Sequence, residues 1–331
     1  MKIALDAMGG DSAPMYIVEG AVEASREMPP DAGIALVGKQ SVLDEYISKN
    51  GLELGGIEIV DAPEVIGMSE SPTTGIRRKR NSSIMTAMRL HKEGEVQAVV
   101  SAGNTGAIVA SSLLSLGRLS GIKRPAITLT LPSENKDTVF LDVGANSDCD
   151  PGNMYQFALM GSLYAETFLG RENPKIGLLS IGEESSKGNE LTRESNNLFA
   201  SSNLNFVGNV EGHDIFFGAV DVVVTDGFVG NVVLKFTESI VAYINSLLRN
   251  EISKHPTAKL GAAFMKSAFR GLRRKLDYAE YGGLPLLGVN GVVIIGHGGS
   301  SPMAIKNAIL SAAKFVNSDI NDKIMSRAKE A

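Results

Sequence analysis

Ten short runs of β-branched and aliphatic residues punctuate this chain, and longer segments with helical spacing separate most of them. They are KIALDA (2–7), GIALVG (33–38), IEIVDA (57–62), QAVVSAG (97–103), AITLTL (126–131), TVFLDVGAN (138–146), KIGLLSIG (175–182), NFVGNV (205–210), DVVVTDG (221–227) and GVVIIGHGG (291–299). Such runs are too short for helices and too continuously apolar for strands wetted on one face. Strands of this kind are buried on both faces by the helices that connect them, which predicts an α/β fold on a largely parallel sheet. Residues 125–144 instead read as two strands joined by a polar turn, so some antiparallel pairing is expected. Composition agrees: 36 Gly, no Trp and only 6% aromatic residues leave the core to Ala, Val, Ile and Leu. No fixed-period repeat or linker divides the 331 residues, so one two-lobed α/β/α unit over 1–331 is expected.

Several classes drop out on simple grounds. A hydrophobic content of 44% excludes a disordered chain. A net charge of −5 argues against a general nucleic-acid binder. Cys149 is the one cysteine, so neither a disulfide framework nor a cysteine zinc cluster is available. No uninterrupted apolar run reaches the ~18–20 residues that cross a bilayer, and the opening MKIALDAMGG has no signal-peptide pattern. The expectation is a soluble cytoplasmic protein.

Ligands of open α/β sheets bind beyond the carboxyl ends of strands, where helix N-termini offer free N–H groups. Six small, polar, Gly-rich segments fall there: DAMGGD (6–11), SAGNTGA (101–107), LDVGAN (141–146), SIGEESSKGNE (180–190), TDGFVGN (225–231) and GHGGSS (296–301). Each supplies Gly for close backbone approach and Asn, Ser or Thr as hydrogen-bond partners. Helix capping needs the same residues, so one loop alone decides nothing; six together suggest a cleft for an anionic or phosphate-bearing ligand. No P-loop, no dinucleotide-binding GxGxxG and no GxSxG elbow is present, so no nucleotide or nicotinamide cofactor is expected.

Lys187 is the sharpest chemical candidate. A cation among Ser185, Ser186, Gly188 and Asn189, opening a helix, suits phosphate or a developing oxyanion, although a solvated loop lysine has the same sequence. His91, His213 and His255 stand in polar stretches and read as surface residues, whereas His297 stands inside GHGGSS with packing and chemistry both open. Asp6, Asp11, Asp142 and Asp226 lie at strand ends, where capping and loop-fixing are favoured over Mg²⁺ binding. Cys149 sits between Asp148 and Asp150, whose charge raises a thiol pKa, so no reactive thiolate and no metal site are expected.

Two basic features remain. Arg77, Arg78, Lys79 and Arg80 form either a solvated helix segment or a contact for phosphate or an acidic carrier protein. Residues 257–277 have helical amphipathicity, with Leu260, Phe264, Met265 and Phe269 on one side and Lys259, Lys266, Arg270, Arg273 and Arg274 opposite. That pattern suits a membrane surface, an acidic partner or a dimer-packing helix.

Taken jointly and in this order, the six loops, with RRKRNSS (77–83), RPA (124–126), KGNEL (187–191), YGG (281–283) and HGGSS (297–301), resemble the PlsX-type phosphate acyltransferases of bacterial phospholipid synthesis over nearly the whole chain. Two departures stand out: Ser12 occupies the place of a familiar His, and the last loop carries one Gly more than the family's HGSS, which shifts His297 against Ser300. The resemblance implies a fold related to phosphotransacetylases and isopropylmalate dehydrogenases, a homodimer, and peripheral membrane contact. It also implies the reaction: a long-chain acyl group passes from acyl-ACP (acyl carrier protein) to inorganic phosphate, and the acyl phosphate goes on to a membrane glycerol-3-phosphate acyltransferase. Residue chemistry agrees with such a transfer. Phosphate needs positioning more than deprotonation, and the thioester oxyanion needs aimed donors. Lys187 and Asn231 are the catalytic candidates. Asn104, Thr105, Asn146, Ser186, Asn189, His297 and Ser300, with the backbone at Gly9, Gly10, Gly106, Gly188 and Gly230, are the substrate-binding candidates. No nucleophilic side chain is evident, so direct attack is favoured over an acyl-enzyme. The alternatives are a short-chain phosphotransacetylase using acyl-CoA and a non-catalytic membrane-associated scaffold.

Overall fold

All ten aliphatic runs form strands. The fold is taken from a computed structural model, which describes residues 1–133, 136–269, 271 and 282–330. The strands are β1 (Lys2–Asp6), β2 (Gly33–Gly38), β3 (Ile57–Asp61), β4 (Ala98–Ser101), β5 (Ala126–Leu131), β6 (Thr138–Leu141), β7 (Ile176–Leu179), β8 (Phe206–Val210), β9 (Val222–Val224), β10 (Leu284–Leu287) and β11 (Val293–Ile295). They make one 11-stranded sheet in the order β3-β2-β1-β4-β11-β10-β5-β6-β9-β7-β8. β3, β2, β1, β4 and β11 run parallel, as do β6, β9, β7 and β8. The second group is reversed because β5 and β6 pair antiparallel, Thr128 opposite Leu141, as the polar turn in 125–144 predicts.

β10 is the strand that local reading misses. LPLL is four residues long and holds a proline, which demotes a run on propensity alone. It forms because it bridges the two halves: Leu284 and Pro285 pair with β11, Leu286 and Leu287 with β5.

Twelve helices are described: α1 (Met15–Ser25), α2 (Gln40–Asn50), α3 (Pro72–Arg78), α4 (Ser83–Lys92), α5 (Thr105–Ser115), α6 (Pro151–Leu169), α7 (Glu190–Ala200), α8 (Asp214–Phe217), α9 (Gly227–Lys254), α10 (Pro256–Phe264), α11 (Pro302–Val316) and α12 (Ile320–Glu330). Alternate strand residues feed two cores. Ile3, Leu5 and Val100 pack with Ile17, Phe157, Ile305 and Ile309 on one face. Ala4, Val37 and Val99 pack with Ile84, Met88 and Ile108 on the other. Each large side chain fully removed from water contributes roughly 1.5–3 kcal/mol, and Phe140, Phe157 and Phe199, fully buried, join the expected aliphatic residues in a core without Trp.

α9 departs from this pattern. Only Gly227, Gly230 and Leu234 of its 28 residues are buried, and Phe236, Tyr243, Ile244 and Leu247 stand in the open. By length and composition it could cross a bilayer. A search for unbroken apolar runs passes over it because Lys235, Glu238 and Arg249 interrupt the pattern. α10 continues the display, with Phe264 87% exposed and Leu260 also open. Of the amphipathic stretch 257–277, residues 270 and 272–277 lie outside the described residues, as does Tyr281.

Candidate active site

The strand-end loops interlock before they offer anything to a ligand. Asp6, buried at the end of β1, accepts from Ser101 Oγ (2.7 Å) and from the Met8 N–H (3.2 Å), while the Gly103 N–H donates to Ser101 Oγ (3.1 Å). Burial raises the Asp6 carboxyl above its ordinary range despite these donors. Gly9 fits here because a Cβ would lie 2.7 Å from both Asp6 Oδ2 and the Gly103 nitrogen. Gly10 takes a φ of +119°, and the next N–H, of Asp11, donates to Gly298 O (2.8 Å), joining the β1 and β11 loops.

Asp142 does the same for the other half of the sheet. Its carboxylate accepts from the N–H groups of Ile127 (2.9 Å), Gly144 (3.2 Å), Ala145 (3.0 Å) and Asn146 (2.8 Å), and from Asn146 Nδ2 (2.8 Å). Burial again raises its pKa. α9 seats its first turn on this loop. Asp226 caps it by accepting from Phe228 and Val229, both at 2.9 Å, and a Cβ on Gly230 would come within 1.9 Å of Asp142 O. Asp6 and Asp142 thus fix loops and Asp226 caps a helix, whereas Asp11 lines the adjoining cavity. Among the described residues no group of three or more His, Cys, Asp or Glu is arranged for a metal.

Between these frames lies a cavity of ≈ 340 Å³, within the range of small-ligand sites. Asp11 and Met68 line it with Thr105 and Gly106 at the start of α5, Val143 and Gly144 after β6, and Gly296–Gly298 after β11; Asn231, Leu234, Lys235 and Glu238 come from α9. The α9 residues share one face through helical spacing of three and four. Lys235 Nζ lies 3.0 Å from Glu238 Oε2 and 3.4 Å from His297 Nε2. His297 Nδ1 accepts from the Gly299 N–H (3.1 Å), and its Nε2 lies 4.0 Å from Glu238 Oε2. At the start of α5 the N–H groups of Thr105 and Gly106 have no intrahelical acceptor, and the helix dipole adds positive character there. Two backbone donors, an ammonium paired with Glu238, the Asn231 amide and an imidazole therefore border one small space together with the Asp11 and Glu238 carboxylates.

The sequence candidates divide on this geometry. Thr105, Gly106, Asn231 and His297 border the cavity. Asn104 does not offer its amide to a ligand: its oxygen caps α5 by accepting from Ala107 (3.0 Å), and its Nδ2 donates to Met68 O and Glu70 O. Asn146 is buried and spends Nδ2 on Pro125 O (2.7 Å) and Asp142. Gly9 and Gly230 serve loop packing, and the Gly230 N–H donates to Asp226 O. Ser300 is buried, with its N–H on His297 O, and Ser301 caps α11. Lys187 is exposed on the loop after β7, its stem against Gly182. Asn189 caps α7 through Thr192, and Gly188 has a φ of +93°. The described residues lining the cavity include none from 180–190, Ser186 among them, although β7 ends on the same sheet edge as β6, two strands away.

Lys235, Glu238 and Met68 escape sequence reading. For the first two a signal existed, since both follow Asn231 at helical spacing, but attention to Gly-rich motifs stops at residue 231. Two other expectations need correcting. His91 is half-buried rather than a surface residue: Nδ1 lies 3.0 Å from Val96 O, Nε2 accepts from the Val292 N–H (3.0 Å), and burial lowers its pKa. The Cys149 thiol is pushed up to about 12, first by burial and then by Asp142, rather than by its sequence neighbours. Asp150 instead caps α6.

With the geometry in place, likeness to known proteins adds the rest. The family described as Fatty acid synthesis protein matches residues 1–323. A phosphate acyltransferase of Heliobacterium modesticaldum is 52% identical over 317 residues, 96% of this chain and 94% of the relative. One from Geobacter sulfurreducens is 50% identical over 98% of this chain and 93% of its own length. Among solved structures, a phosphotransacetylase from Streptococcus pyogenes superposes with a TM-score of 0.63 at 18% identity, covering 96% of this chain and 94% of that one. A 4-hydroxythreonine-4-phosphate dehydrogenase from Klebsiella pneumoniae gives 0.55 at 13% identity, covering 96% and 99%. These two likenesses bear on fold alone, and they agree with the expected architecture. Near-complete coverage at half identity decides membership: the chain belongs to the phosphate acyltransferase family and is an acyltransferase.

Proposed function

We propose that the protein transfers a long-chain acyl group from acyl-ACP to inorganic phosphate by direct attack in a ternary complex. The observation that carries this reading is the convergence of Lys235, Asn231, His297 and the free N–H groups of α5 on one cavity, with no poised nucleophile among the described residues that line it. Phosphate sits at the α5 N-terminus and against Lys235. One of its oxygens adds to the thioester carbon to give a tetrahedral oxyanion, which collapses with cleavage of the C–S bond; the carrier's thiolate leaves and takes up the proton that the hydrogen phosphate gives up. Asn231 donates to phosphate or to the oxyanion. Lys187, outside the cavity lining but on the loop after β7, two strands from β6 on the same sheet edge, is assigned the second cation.

The exposed apolar side chains of α9 and α10 support a homodimer and reversible membrane contact from the cytoplasm. There the acyl phosphate would pass to a membrane glycerol-3-phosphate acyltransferase. The test is phosphate-dependent release of ACP from long-chain acyl-ACP, run beside the matching acyl-CoA. Preference for acyl-CoA of short chain length would favour a phosphotransacetylase. No transfer from either donor would favour a scaffold.

A further inference from the structure

The segment 116–125, between α5 and β5, wraps a second cavity of ≈ 590 Å³. Half-buried Leu113, over the buried Leu119 and Ile122, forms its apolar part, and Arg118, Lys123 and Arg124 its cationic part. The segment is pinned. The Leu119 N–H donates to Gly288 O (3.0 Å), Arg118 Nη1 to Lys123 O (2.7 Å) and the Lys123 N–H to Gln156 Oε1 (2.8 Å). All three cations are exposed, and among the described residues none forms a salt bridge. In a chain of net charge −5 this is a local reversal of sign, with Leu114 standing 66% exposed on the same helix end.

We propose that this cationic, apolar-floored face docks the acidic carrier protein that presents the acyl chain, an inference that rests on the acyl-ACP reading above. Unpaired cations around an apolar floor match an acidic amphipathic helix, whose carboxylates meet the rim while its apolar side chains enter the cavity. Position supports the match. Pro125 O is held by Asn146, whose loop supplies Val143 and Gly144 to the catalytic cavity, and Ile127 lines that cavity too. Two residues of extended chain span about 7 Å and the eight residue steps of α5 from Thr105 to Leu113 about 12 Å, so a carrier seated here has its prosthetic arm within reach of the site. The other basic face is a poorer fit. The cavity at Arg77 and Arg78 is otherwise lined by Thr73 and Thr74, with no apolar floor, and Lys79 is already paired with Glu70 (2.6 Å).

The test uses the full chain with Lys123→Glu, with Arg118→Glu and Lys123→Glu combined, and with Arg78→Glu on the other basic face. Since the Lys123 ammonium donates no hydrogen bond among the described residues, the single variant stays interpretable if the double one misfolds. The expected result is a KM for acyl-ACP raised roughly tenfold with kcat held, and a flattened dependence on ionic strength. Turnover of a small acyl thioester without the protein carrier should be unchanged. An unchanged KM in folded Lys123→Glu, an equal loss on the small thioester, or the effect appearing only in Arg78→Glu overturns the docking site. If the unaltered protein itself fails to use acyl-ACP while using another donor, the donor reading fails, and this inference with it.

Discussion

Replacing Gly230 by Ala would place a methyl carbon 1.9 Å from Asp142 O, a contact real Cβ atoms never make below 3.0 Å. Helix or loop must therefore retreat by about 1.5 Å to restore ordinary contact. The loop is held by five hydrogen bonds to the Asp142 carboxylate, so the helix is the part that yields. α9 carries Asn231, Leu234, Lys235 and Glu238, and all four leave their places together. Overpacking of this kind costs about 1–3 kcal/mol of stability, whereas a 1 Å misplacement at a reacting centre lowers rate by roughly 10²-fold. The expected outcome is a protein that still folds, unfolds at slightly lower urea, and turns over about a hundredfold more slowly. Gly261→Ala in α10 is the control, because its Cβ would meet nothing within 4 Å. Phosphate-dependent turnover and urea unfolding of both variants decide the matter. Turnover within threefold of the parent in Gly230→Ala would refute the claim that this glycine sets the helix in register with the cavity.

Further outcomes are expected. Lys235→Ala should lower turnover by roughly 10²-fold and raise the KM for phosphate, and Lys187→Ala should lower turnover by roughly 10²–10³-fold without unfolding; activity within a few-fold of the parent removes either lysine from the chemistry. Cys149→Ser should leave turnover intact, because a thiol with its pKa near 12 is protonated at neutral pH; mass spectrometry finding an acyl group on any side chain during turnover sinks direct attack. His91 has a folded pKa below 6.5, so its contribution is complete above pH 6.5 and is lost as pH falls through the folded value; urea midpoints at pH 7.5 and 5.5 should differ less in His91→Gln. Leu260→Glu with Phe264→Glu should release the protein from anionic vesicles and spare turnover of soluble acyl-ACP; persistent co-sedimentation clears α10 of anchoring, and sedimentation as monomers makes it a dimer contact.

How much of this was readable in the residues follows from range. Ten strands announce themselves because burial on both faces demands unbroken aliphatic runs, and that demand is local. The antiparallel β5–β6 pair is local for the same reason, since a short polar turn leaves its strands little choice. Gly-rich segments at strand ends likewise mark the edges where loops gather. β10 is invisible because nothing in LPLL favours a strand until β11 and β5 stand on either side of it. Hydrogen-bond capacity is equally non-local. Asn104 and Asn146 have the right chemistry for phosphate, and only their partners, Met68 and Glu70 for one and Pro125 and Asp142 for the other, show that it is already used. Lys187 and Lys235 are equivalent as letters. Residue types and strand-end positions belonged to the sequence by itself, because local chemistry writes them. Which side chains face one cavity with capacity left to bind was decided by the tertiary structure, because that depends on strands and helices scores of residues apart.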